Sequence, residues 1–124
     1  MSPIRIGIIG MGGFAAWHHN TIARLEERGQ ARLICTCDPQ AGSFTLEQQN
    51  WRFAERGVAV FGDYKAMLAA CHRDLDLLVV PTPINLHAEM HRAGVELGIP
   101  VYLEKPPTLD YLELEEMITR DRQA

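Results

Sequence analysis

A glycine-rich turn is the first part of this 124-residue sequence whose residue types and spacing could do chemistry. Gly10 and Gly12 follow an apolar run at residues 4–9, and Ala15 stands three positions after Gly12. Gly10 permits a tight turn, Gly12 puts no Cβ between the backbone and a ligand, and the small Ala15 lets a helix pack closely on the strand. The free N–H groups at the start of that helix attract an anion. The spacing therefore indicates a phosphate-binding turn made by Gly10, Gly12, Gly13 and Phe14.

An acidic residue stands where a dinucleotide site needs one. Asp38 ends a second apolar run, residues 32–37, about twenty residues after the turn. In dinucleotide-binding folds such a carboxylate accepts hydrogen bonds from the adenosine ribose, and its charge repels the additional phosphate of NADP. The pattern therefore predicts NAD as the cofactor, with NADP less favoured. The alternative interpretation is a solvated aspartate in the turn before Pro39.

A charged pair, Glu104 and Lys105, follows the last apolar run of the chain, residues 100–103. Only two of the twelve lysine and arginine residues are lysines, Lys65 and Lys105. Partial desolvation lowers the pKa of a lysine toward neutrality, which suits acid–base catalysis on a hydroxyl or carbonyl group. Lys105 is therefore the candidate catalytic residue. The alternative is that Glu104 and Lys105 are surface charges at a strand end.

Histidine and tryptophan carry weaker signals. His87 falls in the first turn of a predicted helix, close to the strand ends that carry Asp38 and Lys105. Of the five histidines, it has the best position for a role in the site. His18 and His19 fall in the first helix, and His72 and His91 are interpreted as solvated. Trp17 and Trp51 are expected to serve packing, since large aromatic residues usually fill cores.

The elements that must position these residues alternate along the chain. Apolar runs predict strands at residues 4–9, 32–37, 58–61, 75–80 and 100–103. Helical patterns fall at 14–28, 43–56, 64–70, 85–97, with Asn85 as a cap, and 109–122. Such alternation predicts an α/β fold with a doubly wound parallel sheet. Ligands of these sheets lie at the carboxyl ends of the strands, an edge that would bring together Gly10–Phe14, Asp38, Pro81, Thr82, Pro83, Glu104 and Lys105.

Composition places the chain among ordinary single domains. A net charge of −4 and an apolar fraction of 47% give no electrostatic case for nucleic acid. No apolar run is long enough to span a membrane, and no leader pattern is seen at the N-terminus, so a cytoplasmic protein is expected. Three cysteines are too few for a disulfide framework. Cys35 and Cys37 share a strand face, and buried free thiols are expected there rather than a metal site.

Four segments in this order resemble a known family. They are the glycine turn after residues 6–9, Cys37-Asp38-Pro39, Thr82-Pro83 with His87 beyond, and Glu104-Lys105-Pro106. The order resembles the N-terminal domain of the glucose-fructose oxidoreductase / inositol dehydrogenase / MocA family, over almost the whole chain. The Glu-Lys-Pro motif is the specific part. Ile84 before Asn85 and Pro107 after the motif depart from the usual family pattern.

The resemblance implies a function. It implies an NAD-dependent oxidoreductase that moves hydride between nicotinamide and a sugar, polyol or cyclitol. Lys105 would take part in proton transfer and Glu104 would hold the nicotinamide end, while Pro81, Thr82, Pro83 and His87 would line the cofactor groove.

The family also implies a second, substrate-binding domain and a homo-oligomer. Residues 1–124 are therefore expected to be the dinucleotide-binding part of a larger enzyme, inactive alone. The alternatives are a non-catalytic nucleotide-binding or sensing module, and a relative that uses transient oxidation to cleave glycosides.

Overall fold

The computed structural model describes residues 3–81 and 84–103, and within these the side chains of Phe14, His91 and residues 84–88, 102 and 103 are outside the description. The strands are β1 (Ile4–Ile9), β2 (Ala31–Cys37), β3 (Ala59–Phe61), β4 (Leu77–Val80) and β5 (Val101–Leu103). The helices are α1 (Phe14–Glu27), α2 (Thr45–Asn50), α3 (Phe53–Arg56), α4 (Tyr64–Cys71) and α5 (Ile84–Glu96). Short 3-10 turns cover Ala41–Phe44 and His72–Asp74.

All five strands form one parallel sheet in the order β3-β2-β1-β4-β5. The chain begins in the centre, winds outward to β3, and then crosses to β4 on the other side of β1. This reversal of winding direction lies between β1 and β4, which is where doubly wound sheets bind their ligands. The predicted fold class is therefore confirmed.

A register shift in β2 sets which side chains share a face. Ile6 pairs with Leu33, whereas the next residue, Gly7, pairs with Cys35, so Ile34 is the extra residue of a bulge. Beyond the bulge, Cys35 and Cys37 face α4 and α5, and Thr36 lies beside α1. The expectation that both thiols share a face is confirmed.

Two apolar layers of buried side chains cover the sheet, one on each face. One packs α1 and α3 against the sheet and contains Ile6, Ile8, Ile22, Leu25, Ala31, Leu33, Phe53, Val58, Leu77 and Val79. The other lies beneath α4 and α5 and contains Ile9, Cys35, Cys37, Met67, Leu68, Cys71, Leu75, Leu78, Val80, Met90 and Ile99. Because both faces of the central strands are covered, β4 is a continuous apolar run, and β1 carries no polar side chain after Arg5.

Two predicted helices differ from the structure. The single helix expected over 43–56 is wrong, because the chain forms a 3-10 turn, α2 and α3, with Arg52 at φ 56° between the two α-helices. Asn85 does not cap α5, which begins one residue earlier at Ile84. The other predicted strand and helix bounds within the described residues hold to within two positions. The helix expected at 109–122 lies outside the described residues.

Local sequence explains the remaining helix ends. Asp63 caps α4, where its carboxylate accepts the N–H of Ala66 at 2.7 Å. Gly57 and Gly98 follow α3 and α5 in the left-handed conformation, at φ 72° and 76°. Within residues 3–81 and 84–103, no helix is long and apolar enough to cross a membrane.

Candidate functional site

The turn between β1 and α1 has the backbone of an anion-binding loop. Gly10 and Gly13 both have positive φ, 111° and 58°, which only glycine adopts easily. No side chain caps the N-terminus of α1, and its first turn carries no acidic residue. Among the described residues, no atom lies within 4 Å of a Cβ built on Gly13, so none of them blocks the turn on that side. An anion can therefore approach the positive end of the helix.

A packing contact also explains why residue 12 is a glycine. A Cβ at this position would lie 3.1 Å from Cζ of Phe44, whose half-buried ring comes from the 3-10 turn after β2. The ring therefore packs directly on the glycine backbone. Glycine was expected here for close approach of a phosphate; the structure adds a second constraint, which is contact between the two loops at this edge.

Asp38 meets the turn directly. Its Oδ2 accepts the N–H of Met11 at 3.1 Å, and its Oδ1 accepts the N–H of Gln40 at 2.8 Å. The preceding strand end is joined to the same turn, because the N–H of Gly10 donates to the carbonyl of Cys37 at 2.7 Å. The carboxylate is held by backbone donors, and each oxygen keeps a lone pair for a further partner. The predicted proximity of Asp38 and the glycine turn is thus confirmed.

A buried histidine contacts the glycine turn from its core side. The sequence alone assigned no role to this residue. His19, with no exposed surface, places Nε2 3.0 Å from the carbonyl oxygen of Gly10. Thr36 donates to the same oxygen at 3.3 Å. The spacing of residues 15, 18, 19, 22 and 25 in α1 could have shown that His18 and His19 face the core, because this is the period of a buried helix face.

Aromatic rings hold His19 in place. Its ring stacks on Trp51 with centroids 4.5 Å apart and planes 24° from parallel, and it lies 5.4 Å from the ring of Phe53. Burial lowers the pKa of His19 to about 4, with nearby Arg56 and His18 adding to the shift and the Gly10 carbonyl opposing it. His19 is therefore neutral at physiological pH. Trp17 and Trp51 both pack on the core, as expected.

Other predicted site residues are only partly located. Pro81 is half-buried directly after β4, at the same edge as Gly10. Phe14 and His87 lie in the first turns of α1 and α5 by their backbones, and their side chains are outside the description. Thr82, Pro83, Glu104 and Lys105 lie outside the described residues altogether. The interpretation of His72 as solvated is wrong: it is half-buried, with Nδ1 2.8 Å from the carbonyl oxygen of Leu68.

The three cysteines are buried free thiols, as expected. Burial raises the pKa of Cys35 far above its ordinary value and that of Cys37 to about 12, so both stay protonated. Among the residues that the structure describes, no group of three or more His, Cys, Asp or Glu side chains could hold a metal ion.

The fold and the turn together define a class. A parallel sheet wound in the order 3-2-1-4-5, a glycine turn leading into an uncapped helix, and a carboxylate after β2 make a dinucleotide-binding Rossmann domain. The chain belongs to the GFO_IDH_MocA family, described as "Oxidoreductase family, NAD-binding Rossmann fold", whose match covers residues 4–124. It is thus an NAD-binding domain of an oxidoreductase family.

Known proteins that the chain resembles are longer than it is. Inositol 2-dehydrogenase of Rhodococcus jostii is 28% identical over 98% of this chain and 31% of its own length. A glycosyl hydrolase family 109 protein of Shewanella pealeana is 24% identical over 95% of this chain and 26% of its own. Scyllo-inositol dehydrogenase of Lactobacillus casei, solved with NAD(H) and scyllo-inositol, has a TM-score of 0.65 and 26% identity over 98% of this chain and 34% of its own. The chain therefore spans between 26% and 34% of the lengths of these three proteins.

Proposed function

We propose that this chain is the cofactor-binding domain of an NAD-dependent oxidoreductase that acts on a hydroxyl or carbonyl group of a sugar, polyol or cyclitol. The single observation that carries the cofactor assignment is the contact between Asp38 and the glycine turn, through the 3.1 Å hydrogen bond from Met11 N–H. It brings a fixed carboxylate to the N-terminus of α1, where Gly13 provides no side-chain cap. The substrate class rests on the relatives, one of which is an inositol 2-dehydrogenase.

In this proposal the turn binds the pyrophosphate. The backbone at Gly10, Gly12, Gly13 and Phe14 would surround the phosphate oxygens, and the uncapped start of α1 would supply the positive end of a helix dipole. No atom of the described residues lies within 4 Å of a Cβ built on Gly13, which is the side that the phosphates would approach. No basic side chain is needed, because backbone donors carry the interaction.

Asp38 would select the adenosine end of the cofactor. With both oxygens already held by backbone N–H groups, the carboxylate has little freedom to turn away from the ribose hydroxyls. Its charge disfavours a 2′-phosphate, so NAD is preferred to NADP. Pro81, Thr82, Pro83, His87 and Glu104 are proposed to line the groove toward the nicotinamide.

Bound NAD supplies the acceptor or donor of a hydride at its nicotinamide. Lys105 is proposed to take or give the accompanying proton at the reacting oxygen of the substrate, which is the acid–base role that its family motif implies.

We further infer a second, substrate-binding domain, a homo-oligomeric full-length enzyme and no nucleic-acid partner. We also infer a cytoplasmic location, which suits three reduced thiols.

Calorimetric titration of the chain with NAD and NADP tests the cofactor assignment. We expect NAD to bind more tightly, and Asp38→Ala to weaken NAD by about tenfold or more, because a charged acceptor of two hydroxyl groups is lost. NADP should lose less. Asp76→Ala is the matched control, since Asp76 pairs with Arg5 at the opposite edge of the sheet. Absence of binding of either nucleotide at millimolar concentration, or an equal loss for both in Asp38→Ala, would contradict the proposal.

A second candidate reaction is NAD-dependent cleavage of glycosides, which the relative in glycosyl hydrolase family 109 favours. The two reactions differ in their products. The longest reading frame that contains this chain should be incubated with NAD and both a free cyclitol and an aryl glycoside. Net NADH formation from the cyclitol supports the dehydrogenase, and release of the aglycone without net NADH supports the second candidate.

A further inference from the structure

The peptide group between Gly10 and Met11 is held at both of its polar ends. Its carbonyl oxygen lies 3.0 Å from Nε2 of His19 and 3.3 Å from the hydroxyl of Thr36. Its N–H donates to Oδ2 of Asp38 at 3.1 Å. Since a peptide group is planar, the direction of the carbonyl sets the direction of the N–H. The contacts of His19 and Thr36 with the carbonyl, and of Asp38 with the N–H, therefore act on one rigid peptide group.

His19 is the stronger of the two supports beneath the turn. A carbonyl oxygen only accepts hydrogen bonds, so Nε2 must carry the hydrogen, and the two lone pairs of the oxygen serve His19 and Thr36. Stacking on Trp51 restricts rotation of the imidazole, and Trp51 is itself anchored by a 2.8 Å hydrogen bond from Nε1 to Oδ1 of Asn20. The donor thus has a fixed position.

Packing alone does not explain a histidine at this position. Its Nδ1 is buried and has no hydrogen-bond partner among the described residues. A buried polar atom without a partner costs stability, and an apolar side chain of similar size would avoid that cost. What an apolar side chain lacks is the Nε2–H donor to Gly10.

We propose that His19 is a positioning residue for the dinucleotide: it fixes the Gly10–Met11 peptide plane, and through that plane the Asp38 carboxylate. The proposal rests on the proposed binding roles of Asp38 and the glycine turn. His19 itself touches no cofactor, because it lies wholly beneath the turn.

Two substitutions at His19 separate the effect of the Nε2–H donor on NAD binding from the effect of side-chain packing. His19→Leu keeps apolar volume and removes the donor, and we expect the dissociation constant for NAD to rise about tenfold or more. His19→Gln places an amide nitrogen near the position of Nε2, and should restore affinity to within about threefold of wild type. His72→Leu is the matched control, because His72 also contacts a backbone carbonyl, that of Leu68, at the other edge of the sheet. Its NAD affinity should be unchanged.

A double-mutant cycle then tests the route through the peptide. If His19 acts through Asp38, His19→Leu should weaken NAD further by less than about threefold when Asp38 is already alanine. Binding of NAD to folded His19→Leu with wild-type affinity, equal losses in the leucine and glutamine variants, or full additivity with Asp38→Ala would each overturn the proposal. Failure of the wild type to bind NAD would contradict the proposed function as well, whereas these variant results contradict the inference alone.

A measurement on the wild type covers the case in which His19→Leu does not fold. The nitrogen resonances of ¹⁵N-labelled histidine report which ring nitrogen carries hydrogen. His19 should be neutral and protonated at Nε2, before and after addition of NAD. An Nδ1–H tautomer, or a charged ring at neutral pH, would overturn the proposal, since neither matches a neutral donor to Gly10.

Discussion

Both faces of the sheet are covered by buried apolar layers, but the two layers differ in the polar groups that they contain. Beneath α4 and α5 the layer is apolar apart from thiols, which burial keeps protonated. Beneath α1 the apolar layer includes two polar residues near the carboxyl edge, His19 and Thr36, both directed at the carbonyl of Gly10. One face therefore serves packing, whereas the other also holds the backbone of the glycine turn.

The difference shows that buried side chains can hold the backbone of a binding site without contacting the ligand. A buried imidazole and hydroxyl cost more than alkyl groups unless their hydrogen bonds are made. Of the three fully buried polar side chains among the described residues, His18, His19 and Thr36, two lie where β1 ends and the turn begins. Four experiments test this contrast, from the largest expected effect on stability to the smallest.

Adjacent leucines on β4 compare the packing of the two faces directly. Leu77 and Leu78 are both without exposed surface, and they belong to the α1 layer and the α4–α5 layer respectively. Each replacement by alanine should lower the free energy of unfolding by about 2–5 kcal/mol, because it leaves a cavity in a packed core. Urea denaturation measures both. A difference of more than about 3 kcal/mol between the two losses, the full width of that range, would contradict equal packing of the faces.

Acid should destabilise the α1 face selectively. The pKa of His19 is about 4 in the folded chain and 6.5 is its ordinary value, so the unfolded chain binds more protons between these pH values. Its neutral form contributes fully above pH 6.5, and about 3 kcal/mol is lost as the pH falls to 4. Arg56 and His18 face the ring and add to the effect.

Urea denaturation at several pH values, with His19→Gln as control, isolates this contribution from that of the carboxylates. The stability of wild type relative to the glutamine variant should fall across that interval. Parallel stability curves for the two proteins would show that His19 is not a buried neutral histidine.

Gly94 tests how closely α5 approaches the sheet. A Cβ here would lie 2.6 Å from Cγ2 of Val101 and 3.2 Å from Cδ2 of Leu78. Gly94→Ala should therefore lower the free energy of unfolding by about 1–3 kcal/mol, although alanine is the better helix former. On the α1 face Ala15 fits, being 2% exposed. A thermal midpoint raised by Gly94→Ala would mean that α5 is not held against β5.

Arg52, between α2 and α3, offers a small gain in stability. It is the non-glycine residue with positive φ, 56°, within residues 3–81 and 84–103. Arg52→Gly removes side-chain strain of about 1 kcal/mol and adds some unfolded-state entropy, so a net gain of about 0.5 kcal/mol is expected. Gly57→Ala, at φ 72°, is the control with the opposite sign. A stability loss in Arg52→Gly, measured by differential scanning calorimetry, would contradict this account.

Some features followed from local pattern and were predicted correctly. The doubly wound parallel sheet followed from the alternation of strands and helices, and the meeting of Asp38 with the glycine turn needed only that the carboxyl ends of parallel strands share an edge. The single helix expected over 43–56 was wrong because a polar segment with good helix formers does not reveal where its chain must bend to place Phe53 in the core.

By itself, the sequence determined the alternation of strands and helices, the glycine turn and the acidic residue after β2. These depend on periodicity and backbone freedom, which are properties of neighbouring residues. Only the tertiary structure decided that His19, Thr36 and Asp38 act on the one peptide group between Gly10 and Met11. Those contacts join residues 9 to 27 positions apart, and they exist only once β1 has paired with β2 and α1 has packed across both strands.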